Sequence, residues 1–142
     1  MITRKINKII VHCSDTKTNQ NFTAKHIKDW HTKPKPNGNG WKDIGYHFII
    51  NLSGQIELGR DLNESGAHCY GHNADSIGVC FMGGKNPDGS KWEQPLQMQL
   101  EAFESLNDYL WFLFQKQLPI HAHSEFSSKS CPNFDIDKYL KL

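Results

Sequence analysis

An imidazole, an ammonium and a thiol fall close together in "HAHSEFSSKSCPNFD" (121–135), a serine-rich segment with no core of its own to fill. The groups concerned are His121, His123, Lys129 and Cys131. A further histidine, His12, stands where the apolar run of Ile9, Ile10 and Val11 gives way to polar sequence. Two imidazoles and a thiolate are a suitable set for zinc. Three protein ligands leave a fourth position for water, as catalytic rather than structural sites do. Cys131 follows His123 by eight positions, enough chain to loop back. Spacing leaves the choice between His121 and His123 open, because residues two apart on an extended chain point to the same side. The competing reading, with eight histidines in the chain, is that each is a surface or core residue with a local hydrogen bond.

Two more polar residues belong beside this set. Tyr46, in "IGYHFII", lies at the mouth of a strand otherwise made for burial; its plain reading is a core tyrosine with a bonded hydroxyl. Lys129, two before Cys131, is by default a solvated loop lysine. Cys80, inside "IGVCFM", reads as a small core residue, and so does Cys13. Cys69 is undecided. The cysteine count of four is even, but without a secretory leader it argues only weakly for disulfides.

The elements that must position these groups follow from periodicity. "KINKIIVHC" reads as a first strand and "TAKHIKDWH" as a short helix with Thr23 as its cap. "TKPKPNGNG" is loop by composition. "IGYHFIINLSGQIEL" reads as a hairpin turning at Ser53-Gly54, and "SIGVCFMGG" as a buried strand. Leu96, Leu100, Phe103, Leu106, Leu110 and Leu113 recur at helical period, opened by Pro95 and closed by Pro119. "PIHAH" would be a last short strand, and "FDIDKYLKL" a terminal helix capped by Asp135. Strands and helices interleave, so the expected fold is α/β: a mixed central β-sheet flanked by helices in a single domain, 1–142. His12 and His123 would both stand at strand ends, where open α/β sheets bind ligands.

Composition limits the setting. A net charge of +1 gives no basic face for nucleic acid. The apolar run after the first basic residues is too short for a signal peptide, and nothing approaches the roughly 20 apolar residues of a membrane span. The expectation is a chain made and kept in the cytoplasm, a monomer without nucleic-acid or membrane partners.

Taken in order, these segments resemble the amidase-type lysozymes of bacteriophages, which share a fold with bacterial N-acetylmuramoyl-L-alanine amidases and animal peptidoglycan recognition proteins. The resemblance is carried by "IIVHCSDT" (9–16), "GWKDIGYHFII" (40–50), "GQIELGRD" (54–61), "GAHCYGHNADSIGVCFMGG" (66–84) and "HAHSEFSSKSCPNFD" (121–135). It implies a zinc enzyme with His12, His123 and Cys131 as ligands, choosing His123 over His121. It further implies Tyr46 as the active-site tyrosine, Lys129 as the catalytic lysine, and His68 with "NADSIG", Asn73 included, along the substrate cleft. The substrate implied is bacterial peptidoglycan, at the amide between the lactyl group of N-acetylmuramic acid and L-alanine. "TKPKPNGNG" looks longer than its counterpart in the compact phage enzymes, which bears on specificity near the groove.

Such an enzyme would use a metal-activated water as nucleophile. Lys129 would stabilise the developing oxyanion, and Tyr46 would orient the water or pass a proton to the leaving amine. Glu125 is a candidate base or a partner that fixes a ligand histidine; His47 could take that second role or simply pack. The rivals are a recognition module that binds without cleaving, a cysteine hydrolase using Cys131 and His123, and a structural zinc site completed by His68 or His121. The expected setting is a phage or prophage endolysin, made in the host cytoplasm and acting on the wall after release.

Overall fold

The computed structural model describes residues 1–140. In chain order its elements are β1 (Lys8–Cys13), β2 (Thr16–Lys17), α1 (Ala24–Thr32), β3 (Phe48–Ile50), β4 (Ile56–Leu58), β5 (Ser76–Phe81), β6 (Gly84–Lys85), α2 (Gln97–Phe114), β7 (Ile120–Ala122), a 3-10 turn (His123–Glu125) and α3 (Ile136–Tyr139). A five-stranded sheet runs in the order β4-β3-β5-β1-β7, parallel except for the β3–β4 hairpin. This is the mixed, helix-flanked α/β sheet that the interleaved pattern predicts. The central strands β1 and β5 are buried on both faces, which explains their near-continuous apolar sequences.

Alternation along these strands divides the core in two. Ile9 and Val11, with Ile77, Val79, Phe81, Phe48 and Ile50, pack against Phe103, Leu106 and Leu110 of α2. On the other face Ile49, Cys80 and Met82 pack with Ile27 of α1 and Ile44, and Tyr46 joins their edge. His12 follows the alternation onto this second face, opposite Cys80 in the β1–β5 register.

Local chemistry explains the boundaries. The hairpin turns where Asn51 Oδ1 accepts from the amides of Ser53 and Gln55, with Gly54 at φ 83°. Glu57 of β4 accepts from the Ala24 amide and so caps α1 alongside Thr23. Buried Gln99 accepts from the Leu96 amide and donates to the carbonyls of Ile50 and Met82, tying the start of α2 to the ends of β3 and β5. The second helix stops at Phe114, where Gln115 turns left-handed at φ 55°, well before Pro119. The short parallel pair of β2 and β6 has no apolar alternation, so periodicity could not reveal it. The expected terminal helix is one turn, Ile136–Tyr139, with Asp135 capping the amides of Asp137 and Lys138; its last two residues, 141–142, lie outside the described residues. All four cysteines are free thiols. Among the described residues no helix is long and apolar enough to cross a membrane.

Candidate metal centre

Two neighbouring parallel strands deliver the two imidazoles. The β1–β7 pairing runs out at Val11 opposite Ala122, so His12, still paired with Cys80 of β5, and His123 lie side by side just beyond that ladder, ring centroids 4.5 Å apart. Cys131 returns on the loop that follows. The Ser124 amide donates to the Cys131 carbonyl at 2.9 Å, and the Cys13 amide donates to Cys131 Sγ at 3.2 Å. One candidate ligand atom from each of His12, His123 and Cys131 lies within 4.8 Å of the others.

The donor set fits a metal ion. His123 Nδ1 is buried with no hydrogen-bond partner among the described residues, an arrangement costing about 1–3 kcal/mol unless something else meets the nitrogen. The Cys13 side chain, followed by His12 and His123, lowers the Cys131 pKa, although burial opposes the shift. A thiolate is the form that binds metal. Hydrogen bonding to Cys131 and burial push the Cys13 thiol up, so it stays protonated. Cys13 is therefore more than the filler its apolar neighbours suggest.

His121 stands apart. Strand β7 ends at Ala122 and the chain turns at His123, so the two histidines do not share a side as an extended chain would require. His121 Nδ1 pairs instead with Glu125 Oε1 at 3.0 Å, and Glu125 Oε2 accepts from the Ala122 amide. Glu125 thus holds the turn and His121, rather than a ligand histidine. His47 is engaged away from the ligands: Nδ1 accepts from the Gly78 amide, Nε2 donates to the Glu64 carbonyl, and Arg4 Nη2 lies 3.0 Å from the same nitrogen.

The remaining groups singled out from sequence surround the same point. His12, Tyr46, His68, Asn73, His123, Lys129 and Cys131 all line one cleft of about 940 Å³. The Tyr46 ring is 5.0 Å from that of His12, and burial, with the thiols of Cys80 and Cys131, raises its pKa well above the usual phenol value. Its hydroxyl therefore stays protonated at neutral pH. Lys129 is exposed on the rim. His68 contacts His12 directly, Nδ1 to Nε2 at 2.8 Å, and Asn73 Oδ1 accepts from the amides of His68 and Cys69.

Three further residues were not legible in the sequence. His31, near the end of α1, accepts from the Gly45 amide through Nδ1, leaving the Nε2 side for the cleft; burial lowers its pKa to about 4. Ser76 is fully buried and contacts His68 Nε2. Asn133, left-handed at φ 68°, donates to Asp15 and to the Gly84 carbonyl, anchoring the Cys131 loop beneath the cleft. A lone histidine in a helix, a serine opening a strand and an asparagine after Pro132 carry no periodic signal; only tertiary contact reveals them.

Comparison with known proteins agrees with this fold. The model of the N-acetylmuramoyl-L-alanine amidase family matches residues 2–134. The endolysin of Enterobacteria phage K11 is 35% identical over 138 residues, covering 97% of this chain and 87% of that protein. The endolysin of Escherichia phage T7 is 38% identical over 131 residues, covering 92% and 83%. Among solved structures, the N-acetylmuramoyl-L-alanine amidase LysC from Clostridium intestinale URNW superposes with a TM-score of 0.78 at 28% identity, covering 96% of this chain and 83% of that one.

Proposed function

We propose, from the premise that this chain belongs to the N-acetylmuramoyl-L-alanine amidase family, that it is a zinc-dependent enzyme of bacterial cell-wall lysis. Its reaction is hydrolysis of the amide between the lactyl group of N-acetylmuramic acid and L-alanine in peptidoglycan. The observation that carries the reading is the orphaned, buried Nδ1 of His123 beside a thiolate and a second imidazole. His12, His123 and Cys131 would hold the ion. Zinc, when bound, polarises the scissile carbonyl and lowers the pKa of a coordinated water to about 7.

This chain's own residues do the rest. Lys129, on the rim two residues from Cys131, brings a positive charge to the carbonyl oxygen as negative charge develops there. Tyr46, held protonated beside His12, donates a hydrogen bond or a proton on the leaving-amine side. His68 and Asn73 form part of the cleft wall along which the glycopeptide lies. The depressed Cys131 pKa beside His12 would also suit a cysteine nucleophile, which would need no metal.

Mass spectrometry of purified peptidoglycan after digestion, with and without a chelator, separates these readings. Free stem peptides with an L-alanine amino terminus, lost on chelation and restored by zinc, are expected. The same products in the presence of chelator would identify the cysteine hydrolase. New reducing sugar ends would refute amide cleavage.

A further inference from the structure

We infer that His68 is a positioning residue which, held by Ser76, sets which ring nitrogen of His12 carries the proton and leaves the other bare for the metal. The inference rests on the zinc reading above. It starts from Ser76. The Ser76 hydroxyl donates its one hydrogen to the His72 carbonyl at 2.7 Å, because a carbonyl can only accept. Towards His68 the same oxygen can therefore only accept, so the proton at that 3.2 Å contact sits on His68 Nε2. A neutral imidazole has one N–H, and His68 is buried, 8% exposed, where a charged ring is disfavoured. His68 Nδ1 is then a bare acceptor, 2.8 Å from His12 Nε2, which must donate. A metal-ligating imidazole is neutral, so with its one N–H at Nε2, His12 Nδ1 keeps a lone pair for the metal, on the side where Cys131 Sγ lies 3.8 Å away.

The surroundings are cut to fit the His68 ring. A side-chain carbon at Gly78 or at Gly66 would come within 2.6 Å of His68 Cδ2. The sheet thus leaves a notch at Gly78 in which the ring lies, with Gly66 opposite. The backbone of His68 is fixed by its amide donating to Asn73 Oδ1 at 2.9 Å. Since both ring nitrogens are engaged, His68 can offer the cleft only its carbon edge. Asn73 likewise shapes the loop through the oxygen that caps His68 and Cys69.

The test uses the full chain and three variants: Ser76→Ala, His68→Gln and His68→Phe. Zinc affinity is measured by competition with a chromogenic chelator. In zinc-free protein, long-range 1H–15N spectra report which nitrogen of His12 is protonated. Wild type should show a protonated Nε2 and a bare Nδ1. Ser76→Ala should mix the tautomers and weaken zinc binding about 10-fold, with His68→Phe nearer 100-fold, the range for partners that orient a ligand histidine. His68→Gln retains a carbonyl acceptor and should fall between wild type and His68→Phe. A wild type that binds zinc but carries the His12 proton on Nδ1 overturns the relay alone. So does unchanged zinc affinity in both Ser76→Ala and His68→Phe. A wild type that binds no zinc overturns the metal reading, and this role with it. The variants act at different atoms, so misfolding of one leaves the others informative.

Discussion

At the residue scale the site separates groups that would hold an ion from groups that would act on substrate, and mutation should separate them too. Cys131→Ser removes a thiolate already poised by Cys13, His12 and His123. It should lose zinc and amidase activity together, as read by metal content and by release of stem peptides. Lys129→Ala removes only an exposed rim ammonium, so zinc content should stay at wild type while turnover falls by roughly 100-fold or more, the scale of losing one oxyanion donor. A normal rate would remove Lys129 from the mechanism. Tyr46→Phe keeps the ring packed beside His12 and deletes the donor; the expected result is an intact, zinc-loaded protein with a comparable loss of kcat. Unchanged turnover would return Tyr46 to the role of a packing residue. His12, His123 and Cys131 could be singled out as candidate ligands because the residue type carries the chemistry, although spacing alone left His121 open beside His123. Ser76 could not, since nothing in its type or spacing indicates that its hydroxyl is committed to the His72 carbonyl.

At the element scale the candidate metal site is a consequence of strand order. Strands β1 and β7 are far apart in sequence and adjacent in the sheet, and their ladder ends level, at Val11 and Ala122. Sequence patterning placed His12 and His123 at strand ends. It could not show that the two ends are neighbours, because register is set by long-range pairing. The loop carrying Cys131 has no such ladder and depends on side-chain anchors. Asn133 is the main one, its amide bridging to Asp15 Oδ1 at 3.0 Å and to the Gly84 carbonyl at 3.3 Å. Asn133→Gly keeps the left-handed backbone accessible but deletes these bonds and the one that Asn133 Oδ1 accepts from the Ser130 hydroxyl. It should cost about 1–2 kcal/mol in global stability and weaken zinc binding by freeing Cys131, while Lys129 and Tyr46 remain present. Chemical denaturation and chelator competition measure the two effects separately. Wild-type zinc affinity in Asn133→Gly would mean that the amide of Ser124 and the amide of Cys13 suffice to hold the loop.

At the scale of the whole molecule, the cleft side of the sheet is built on neutral buried histidines, and this gives stability a predictable pH dependence. His47 donates to the Glu64 carbonyl and accepts from the Gly78 amide, so a second proton on the ring would break the latter bond inside the core. Burial chiefly holds its pKa down to about 4. Unfolding returns it to about 6.5, so below that pH the unfolded chain binds a proton that the folded chain refuses. The stability that His47 contributes is therefore complete above pH 6.5 and is lost as pH falls towards 4. The gap at His47 alone corresponds to roughly 3 kcal/mol. Urea unfolding of the zinc-free protein, in chelator so that metal release adds nothing, should show a midpoint falling steadily across that window. Carboxylates such as Asp75, held low mainly by the hydrogen bond from Lys8, contribute only at lower pH, since their stabilisation is lost below the ordinary carboxylate range. A midpoint flat from pH 7 to 4.5 would mean that His47 accepts its proton in the folded state, and that the Gly78 amide finds another partner when it does.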